Sequence, residues 1–308
     1  MIDLNAVFNT FNTGDTYHRV DSTHPLNLYI GIDDEYRWTM MILCNFEPTA
    51  VESSKMILAR KGKRNDDRWT ITLTLIENSY KELFLLFCGD IIESSREIST
   101  QKQALKFIIR RYKEWREMLA NSRGDLLSAN EIKGLLGEMY FLHNHLAPLY
   151  GTDKAALSWT GPRKTHQDFI VDETWYEIKT ISSSRTDVNI SSIKQLDCNN
   201  TGELVIIKAD KTSTTNKNAV NLNFVYRLIL ESINEDTVKS EFSSMLLGYG
   251  YYPRPEYEGS DYTFEVKEVH RYLVTSDFPC LRYSNIPTSI VEADYVISIS
   301  SIEPYRKE

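Results

Sequence analysis

Apolar and polar residues alternate through much of residues 1–98, and this pattern predicts a β-rich module. The alternation is clearest in Thr70–Ile76, where β-branched residues dominate and Asn78 follows as a turn residue. The predicted strands are Leu26–Ile32, Trp38–Phe46, Lys55–Arg60, Trp69–Glu77 and Glu82–Cys88.

A different period begins at Gln101, where apolar residues recur at helical spacing up to Leu119. Polar residues fill Ser94–Thr100 before this amphipathic helix, as in a linker. We therefore expect two domains, 1–98 as a β-rich domain that binds DNA or a partner, and 99–308 as a second domain.

The next helix has a capping box, because Ser128 is followed three residues later by Glu131. Pro148 is expected to end it after Leu146. Its apolar stripe consists of Ile132, Leu135, Leu136, Met139 and Leu142.

Glu138 lies on or beside this apolar stripe, where an unpaired charge is costly. A buried partner such as a metal or a cation would compensate the charge; alternatively, the side chain edges the stripe and reaches water. Gly134 and Gly137 weaken the helix, so we expect both to allow close approach of a neighbouring element.

The segment from His166 to Thr180 predicts two strands joined by a tight turn at Asp172 and Glu173. With this register Asp168 faces Glu177 across the ladder, and Lys179 shares their face. The opposite face is apolar and typical of a core, with Phe169, Val171, Tyr176 and Ile178.

Two carboxylates placed directly across a strand pair have β-carbons roughly 5 Å apart and repel each other, so a cation should lie between them. This donor set suits Mg²⁺, for which Mn²⁺ can substitute, and Lys179 can stabilise charge that develops on a phosphate. A glycosidase could instead use Asp168 and Glu177 as acid and base. Lys179 argues against that alternative, because a fixed cation lowers the pKa of the acid.

These residues resemble the PD-(D/E)XK nuclease superfamily, whose fold is restriction-endonuclease-like. The resemblance implies an α/β core, a central mixed sheet flanked by helices, here with an N-terminal β-rich domain. It implies that Asp168, Glu177, Glu138 and the Ile178 carbonyl bind the metal, and that Lys179 helps position or activate the attacking water.

Some branches of this superfamily also carry a glutamine on the helix after the E-x-K strand, which here would be Gln195. Gln167 replaces the motif proline before Asp168, a common departure that leaves the metal ligands in place. The chain further resembles a bacterial branch often encoded beside MORC-type ATPases and Z1-type helicases, in apparent restriction or phage-defence operons. The runs that carry this likeness are Gly134–Glu138, Trp159–Pro162, His166–Asp168 and Tyr176–Lys179.

The remaining chain continues the alternation of strands and helices, and its strands should extend the central sheet. Strands are predicted at Glu203–Ala209, Tyr262–Val274 and Tyr295–Ile302, and helices at Val220–Ile233 and Thr237–Leu247. The aromatic-rich stretch Tyr249–Tyr262, which contains Arg254, could stack on bases, but we favour simple loop packing.

The composition limits where nucleic acid can bind. The 308 residues carry a formal net charge of -8, so any phosphate-binding surface must be local. The candidate DNA contacts near the proposed metal site are Arg163, Lys164, Arg185 and Lys194. A basic loop adds Arg60, Lys61, Lys63 and Arg64, although a solvated hairpin tip partly neutralised by Asp66 and Asp67 is the interpretation we favour.

Four dispersed cysteines without a C-x-x-C pair, no secretory signal and no membrane segment together suggest a cytoplasmic protein. No phosphate-loop motif occurs, so a cooperating ATPase or helicase would be a separate chain. We expect a Mg²⁺-dependent DNA endonuclease of restriction or phage defence. The alternative is a catalytically silent nuclease-like subunit that binds DNA or scaffolds a defence complex. Double-strand cutters of this type are commonly homodimers.

Overall fold

The computed structural model describes residues 4–121, 126–161, 166–198 and 200–307. The chain divides into two compact units, Met1–Asp125 and Leu126–Glu308. The predicted domain boundary near residue 98 stays a prediction. The helix that begins at Gln101 lies in the first of the two units.

The first unit contains a five-stranded antiparallel sheet with the strand order β1-β2-β3-β5-β4. Four of these strands coincide with predicted ones, and β1 was not predicted. The strand bounds are β1 Thr16–Arg19, β2 Asn27–Ile32, β3 Trp38–Cys44, β4 Ile57–Lys63 and β5 Trp69–Leu75.

The described part of this unit, residues 4–121, also contains three α-helices: α1 (Leu4–Phe8), α2 (Lys81–Ser94) and α3 (Gln101–Asn121). The strand predicted at Glu82–Cys88 is wrong, because this segment is the first half of α2. A short apolar run does not distinguish a buried strand from a buried helix, and here the apolar positions continue at helical spacing. The buried residues on α2 include Leu83, Phe84, Phe87, Cys88, Ile91 and Ile92.

The second unit begins with α4 (Ala129–Phe141), and its capping box forms as predicted. Ser128 Oγ accepts from the Glu131 N–H at 3.3 Å, and Glu131 Oε2 accepts from the Ser128 N–H at 2.8 Å. Pro148 does not end the helical segment. A π-helical turn at Leu142–Leu146 leads into α5 (Ala147–Tyr150). Pro148 lies in the first turn of α5, where the N–H group that proline lacks is not required.

Chain reversal at Gly151, which has a φ of 84°, starts α6 (Thr152–Leu157). The central sheet follows, in the order β10-β9-β7-β6. Only β7 and β9 are parallel among its neighbouring strands, so the sheet is mixed and the predicted α/β restriction-endonuclease-like class is confirmed. The strands are β6 Phe169–Val171, β7 Thr174–Ile181, β9 Gly202–Lys211 and β10 Phe264–Val274.

A separate two-stranded sheet pairs β8 (Asp187–Ile190) with β11 (Tyr295–Ser298). The prediction that Tyr295–Ile302 extends the central sheet is therefore wrong, and its second half is the helical turn α9 (Ile299–Ile302). The helix predicted to carry Gln195 is also replaced, by β8 and then a 3₁₀ turn at Ile193–Gln195. Alternation of buried Val188 and Ile190 with polar neighbours gives β8 the period of a strand.

Two further helices follow β9 in the chain, α7 (Leu222–Ser232) and α8 (Asp236–Tyr249). The aromatic stretch after α8 packs inside the unit as we favoured, because Tyr251, Tyr252 and Tyr257 are buried. Among the described helices, none combines the length and the apolar character needed to cross a membrane.

Candidate active site

The β6–β7 hairpin forms with the predicted register. Its pairs are Val171 with Thr174, Ile170 with Trp175, and Phe169 with Tyr176, and Asp172 takes the left-handed turn conformation with a φ of 53°. The predicted apolar face is buried against α4, whose Phe141 ring lies 6.2 Å from that of Phe169 and 5.5 Å from that of Tyr176. This packing fixes β7 and thereby the E-x-K residues.

Asp168 lies one residue before this ladder rather than directly opposite Glu177. Its N–H donates to the Tyr176 carbonyl at 3.1 Å, and its carbonyl accepts from the Thr160 N–H at 2.9 Å. The carboxylate Oδ2 accepts from the Ile178 N–H at 2.7 Å. The side chain is thus held against the backbone of the E-x-K strand.

Glu177 is the most deeply buried acid of the site, with 1% of its surface exposed. Its Oε1 lies 2.8 Å from Lys179 Nζ, whereas the buried Oε2 has no hydrogen-bond partner among the described residues. A buried carboxylate oxygen without a donor is costly, so this atom is a candidate ligand for a cation.

Glu138 occupies the buried face of α4, as the sequence suggested, and is 9% exposed. Its Oε2 accepts from the indole Nε1 of Trp159 at 2.7 Å. The role of Trp159 was missed, although a buried indole N–H always needs an acceptor and a buried carboxylate a donor. Only the fold shows that these two needs are met together.

Gly137 allows the close packing of α4 on β7 that the sequence predicted. A β-carbon at this position would lie 1.8 Å from Thr180 Oγ1. The same prediction for Gly134 is wrong, because a β-carbon there would meet nothing within 4 Å.

The three acids act on one another electrostatically. Burial is the largest cause of the raised pKa of each, and it raises the pKa of Asp168 to about 6. The charge of Asp168 further raises the pKa values of Glu138 and Glu177, and Lys179 only partly opposes these shifts. Lys179 lowers the pKa of each acid, as expected of a fixed cation, but desolvation outweighs this effect and the net shift of each pKa is upward.

Lys179 also contacts Gln195, which the sequence placed at the site. Lys179 Nζ donates to Gln195 Oε1 at 3.1 Å, and the Ser191 N–H donates to the same oxygen at 2.8 Å. Gln167, which had no assigned role, bonds the turn that carries Gln195.

The donor chemistry of the acids fits a hard divalent cation, for which carboxylate and carbonyl oxygens are the preferred ligands. The unpaired Glu177 Oε2 is a buried acceptor that such a cation would satisfy. Across residues 4–121, 126–161, 166–198 and 200–307, no three His, Cys, Asp or Glu side chains already form a ready metal cage.

The candidate DNA contacts fall into three groups. Arg163 and Lys164 lie outside the described residues. Arg185 is paired with Asp187, and Lys194 is exposed. In the first unit the basic loop is largely neutralised, with Arg60 exposed and these ion pairs around it: Lys61–Glu47, Lys63–Asp67, Arg64–Asp66 and Arg68–Asp66.

Comparison with known proteins agrees with this geometry. The family model DUF4420, described as "Putative PD-(D/E)XK family member", matches residues 5–300. The chain therefore belongs to this family, which the sequence resemblance predicted. Searches of curated proteins and of solved structures each give no significant match.

Proposed function

We propose that this chain is a Mg²⁺-dependent endonuclease that hydrolyses phosphodiester bonds of DNA. Membership of a PD-(D/E)XK family supports a nuclease-like protein. The single observation that carries the proposal is the buried Glu177 carboxylate, which lies beside Asp168 and Lys179 and has one oxygen without a partner. Most buried polar atoms of folded proteins have a partner, so the unpaired oxygen supports a cation-binding role.

Asp168, Glu177 and Glu138, together with the Ile178 carbonyl, would hold the ion. When bound, Mg²⁺ supplies Lewis-acid polarisation of a phosphate oxygen and lowers the pKa of a coordinated water. Glu138 already has one oxygen bonded to Trp159, which orients its carboxylate.

The other residues of the chain have separate tasks. The Lys179 ammonium, held 2.8 Å from Glu177 and 3.1 Å from Gln195 Oε1, is placed to stabilise charge that develops on the scissile phosphate. The backbone N–H of Ile178 fixes the Asp168 carboxylate, so this acid presents its remaining oxygen in a defined direction.

Family membership makes DNA the substrate we favour, and we propose that the activity serves restriction or phage defence. Separate ATPase or helicase subunits, a homodimeric assembly and a cytoplasmic location belong to the same proposal. Lys194 and Arg185 beside the site, and Arg60 in the first unit, are the proposed phosphate contacts among the described residues.

The test is nicking of supercoiled plasmid by the purified full chain with Mg²⁺ or Mn²⁺. Removing a metal ligand or the Lys179 ammonium should slow the reaction by about a hundredfold or more. Glu177→Ala and Lys179→Ala should therefore both lose activity. Asp172→Asn, at the exposed hairpin turn, is the matched control and should nick like the unmodified chain.

Mn²⁺ binding, followed by electron paramagnetic resonance, gives a readout that does not depend on activity. Glu177→Ala should weaken Mn²⁺ binding, whereas Lys179→Ala should retain it. Equal nicking by all variants would refute the assigned site. DNA binding without cleavage, even beside partner subunits, would favour the silent-subunit alternative, and metal-free glycoside hydrolysis would favour the glycosidase.

A further inference from the structure

The side chain of Gln167 joins the segment before Asp168 to the turn that follows β8. Its Nε2 donates to the Lys194 carbonyl at 2.8 Å and to the Cys198 sulfur at 2.9 Å, with a longer contact of 3.4 Å to the Gln195 carbonyl. One amide group therefore bonds the C-terminal part of this turn and the residue Cys198 that follows it.

The same turn presents its side-chain oxygen to the site. Gln195 Oε1 accepts from Lys179 Nζ and from the Ser191 N–H. Buried Ile193 anchors this 3₁₀ turn in the core, and because 3₁₀ hydrogen bonding is weak, contacts from outside also set where its polar residues lie. Gln167 supplies such contacts.

Lys179 needs this support because a lysine side chain is long and flexible. Its ammonium is held by Glu177 Oε1 and Gln195 Oε1, which lie on different elements. If the turn were displaced, the Lys179 ammonium would lose Gln195 Oε1 and keep Glu177 Oε1 of these two acceptors.

We propose that Gln167 is a positioning residue for Lys179, because it holds the turn whose Gln195 oxygen fixes the Lys179 ammonium beside Glu177. The catalytic consequence of this arrangement rests on the proposed function. Proline at position 167 would have no side-chain donor, so the departure from the family motif has a specific structural role.

The test removes the hydrogen-bond donors of the Gln167 side chain while keeping its size. Gln167→Glu turns the donating amide into an acceptor that repels the Lys194 and Gln195 carbonyls, and Gln167→Met removes the donors without adding charge. Gln195→Ala removes the oxygen that holds Lys179. Gln103→Glu, on the exposed surface of α3, is the matched control, because Gln103 acts there as an acceptor.

The readout is acetylation of Lys179 by a mild amine reagent without metal or DNA, measured by mass spectrometry relative to exposed Lys106. Loss of one hydrogen bond is worth about 0.5–1.5 kcal/mol, so labelling should rise about threefold or more in each variant. The double variant Gln167→Glu with Gln195→Ala should label no faster than the faster single variant, because both act through one contact.

Exchange of the Ser191 amide hydrogen should quicken in parallel, since its acceptor is the same Gln195 oxygen. Unchanged Lys179 labelling in both Gln167 variants, or additive effects in the double variant, would overturn the proposal. A general loss of structure would also raise labelling at Lys208, which is otherwise paired with Glu268, and would count as an overturning result.

In the nuclease assay, Gln167→Glu should lower kcat several-fold and also raise KM for DNA, because the turn that Gln167 holds carries Lys194, a proposed phosphate contact. The labelling needs neither metal nor DNA. Absence of nicking in the unmodified chain would therefore refute the proposed function alone, and the labelling would still decide the role of Gln167.

Discussion

Asp90 in the first unit and Glu177 in the second are both buried acids, and each lies beside one basic side chain. Asp90 is 4% exposed and receives hydrogen bonds from Arg111 Nε at 2.7 Å, Arg111 Nη2 at 2.9 Å and Trp115 Nε1 at 2.6 Å. Glu177 is more deeply buried, yet its Oε2 has no partner in the described structure. Burial alone therefore does not determine whether both oxygens of an acid are paired.

Glu203, in the same unit as Glu177, shows that complete pairing of a buried acid is not confined to the first unit. It lies on β9, next to β7, and its carboxylate binds Arg271 through two nitrogens at 2.7 and 3.0 Å and Lys307 at 2.7 Å. One strand away from Glu177, the fold satisfies a buried acid completely. Among the buried side-chain atoms of the described residues that have no partner, Glu177 Oε2 is the one carboxylate oxygen.

The largest effect expected from this comparison is on stability, through an isosteric change of carboxylate to amide. Asp90→Asn and Glu203→Gln each leave an arginine without its bidentate acid, and we expect a loss of about 2–4 kcal/mol in the free energy of unfolding. Glu177→Gln removes a poorly paired buried charge and should be neutral or stabilising within about 1 kcal/mol. Urea unfolding of the full chain measures all three.

A loss for Glu177→Gln as large as that for Glu203→Gln would show that Glu177 is a structural acid. Glu203 is the stricter reference, because both residues lie in the same sheet. Equal losses would remove the main support for a metal site.

The pH dependence of stability sharpens the same contrast. Burial raises the pKa of Asp168 to about 6 from its ordinary value near 3.8, so the folded state binds the proton more tightly than the unfolded state. The resulting stabilisation is complete below about pH 4 and is lost as the pH rises through 6, up to about 3 kcal/mol. Comparison with Asp168→Asn, which cannot titrate, isolates this contribution in urea unfolding between pH 4 and 7.

Asp172→Asn is the control for the same chemical change at an exposed position. Saturating Mg²⁺ at pH 7 should restore part of the lost stability, because a bound cation favours the ionised acids. A constant difference between the unmodified chain and Asp168→Asn across this range would contradict the raised pKa.

The sequence predicted those parts of the site that local patterns determine. The hairpin turn at Asp172, the capping box at Ser128 and the inward position of Glu138 all follow from spacing over a few residues. The Trp159–Glu138 bond and the Gln167 contacts join segments distant in the chain, so no local period reveals them. The strand prediction for Glu82–Cys88 was wrong for a different reason, since a short apolar run fits a strand and a helix equally well.

The smallest effect concerns the packing that places Glu138 near β7. Gly137→Ala would put a β-carbon 1.8 Å from Thr180 Oγ1 and 3.1 Å from Thr180 Cβ, so rotation of the hydroxyl alone cannot relieve the clash. We expect a net loss of about 1–2 kcal/mol, because overpacking outweighs the gain in helix propensity.

Gly134→Ala tests the same substitution one turn earlier on α4, where a β-carbon meets nothing within 4 Å. It should stabilise the chain by about 0.5–1 kcal/mol in urea unfolding. Adding Thr180→Ala to Gly137→Ala should recover most of the loss, since it removes the atoms that clash. If Gly137→Ala stabilised the chain as Gly134→Ala does, α4 would not be seated against Thr180, and the placement of Glu138 beside Asp168 and Glu177 would lose its structural basis.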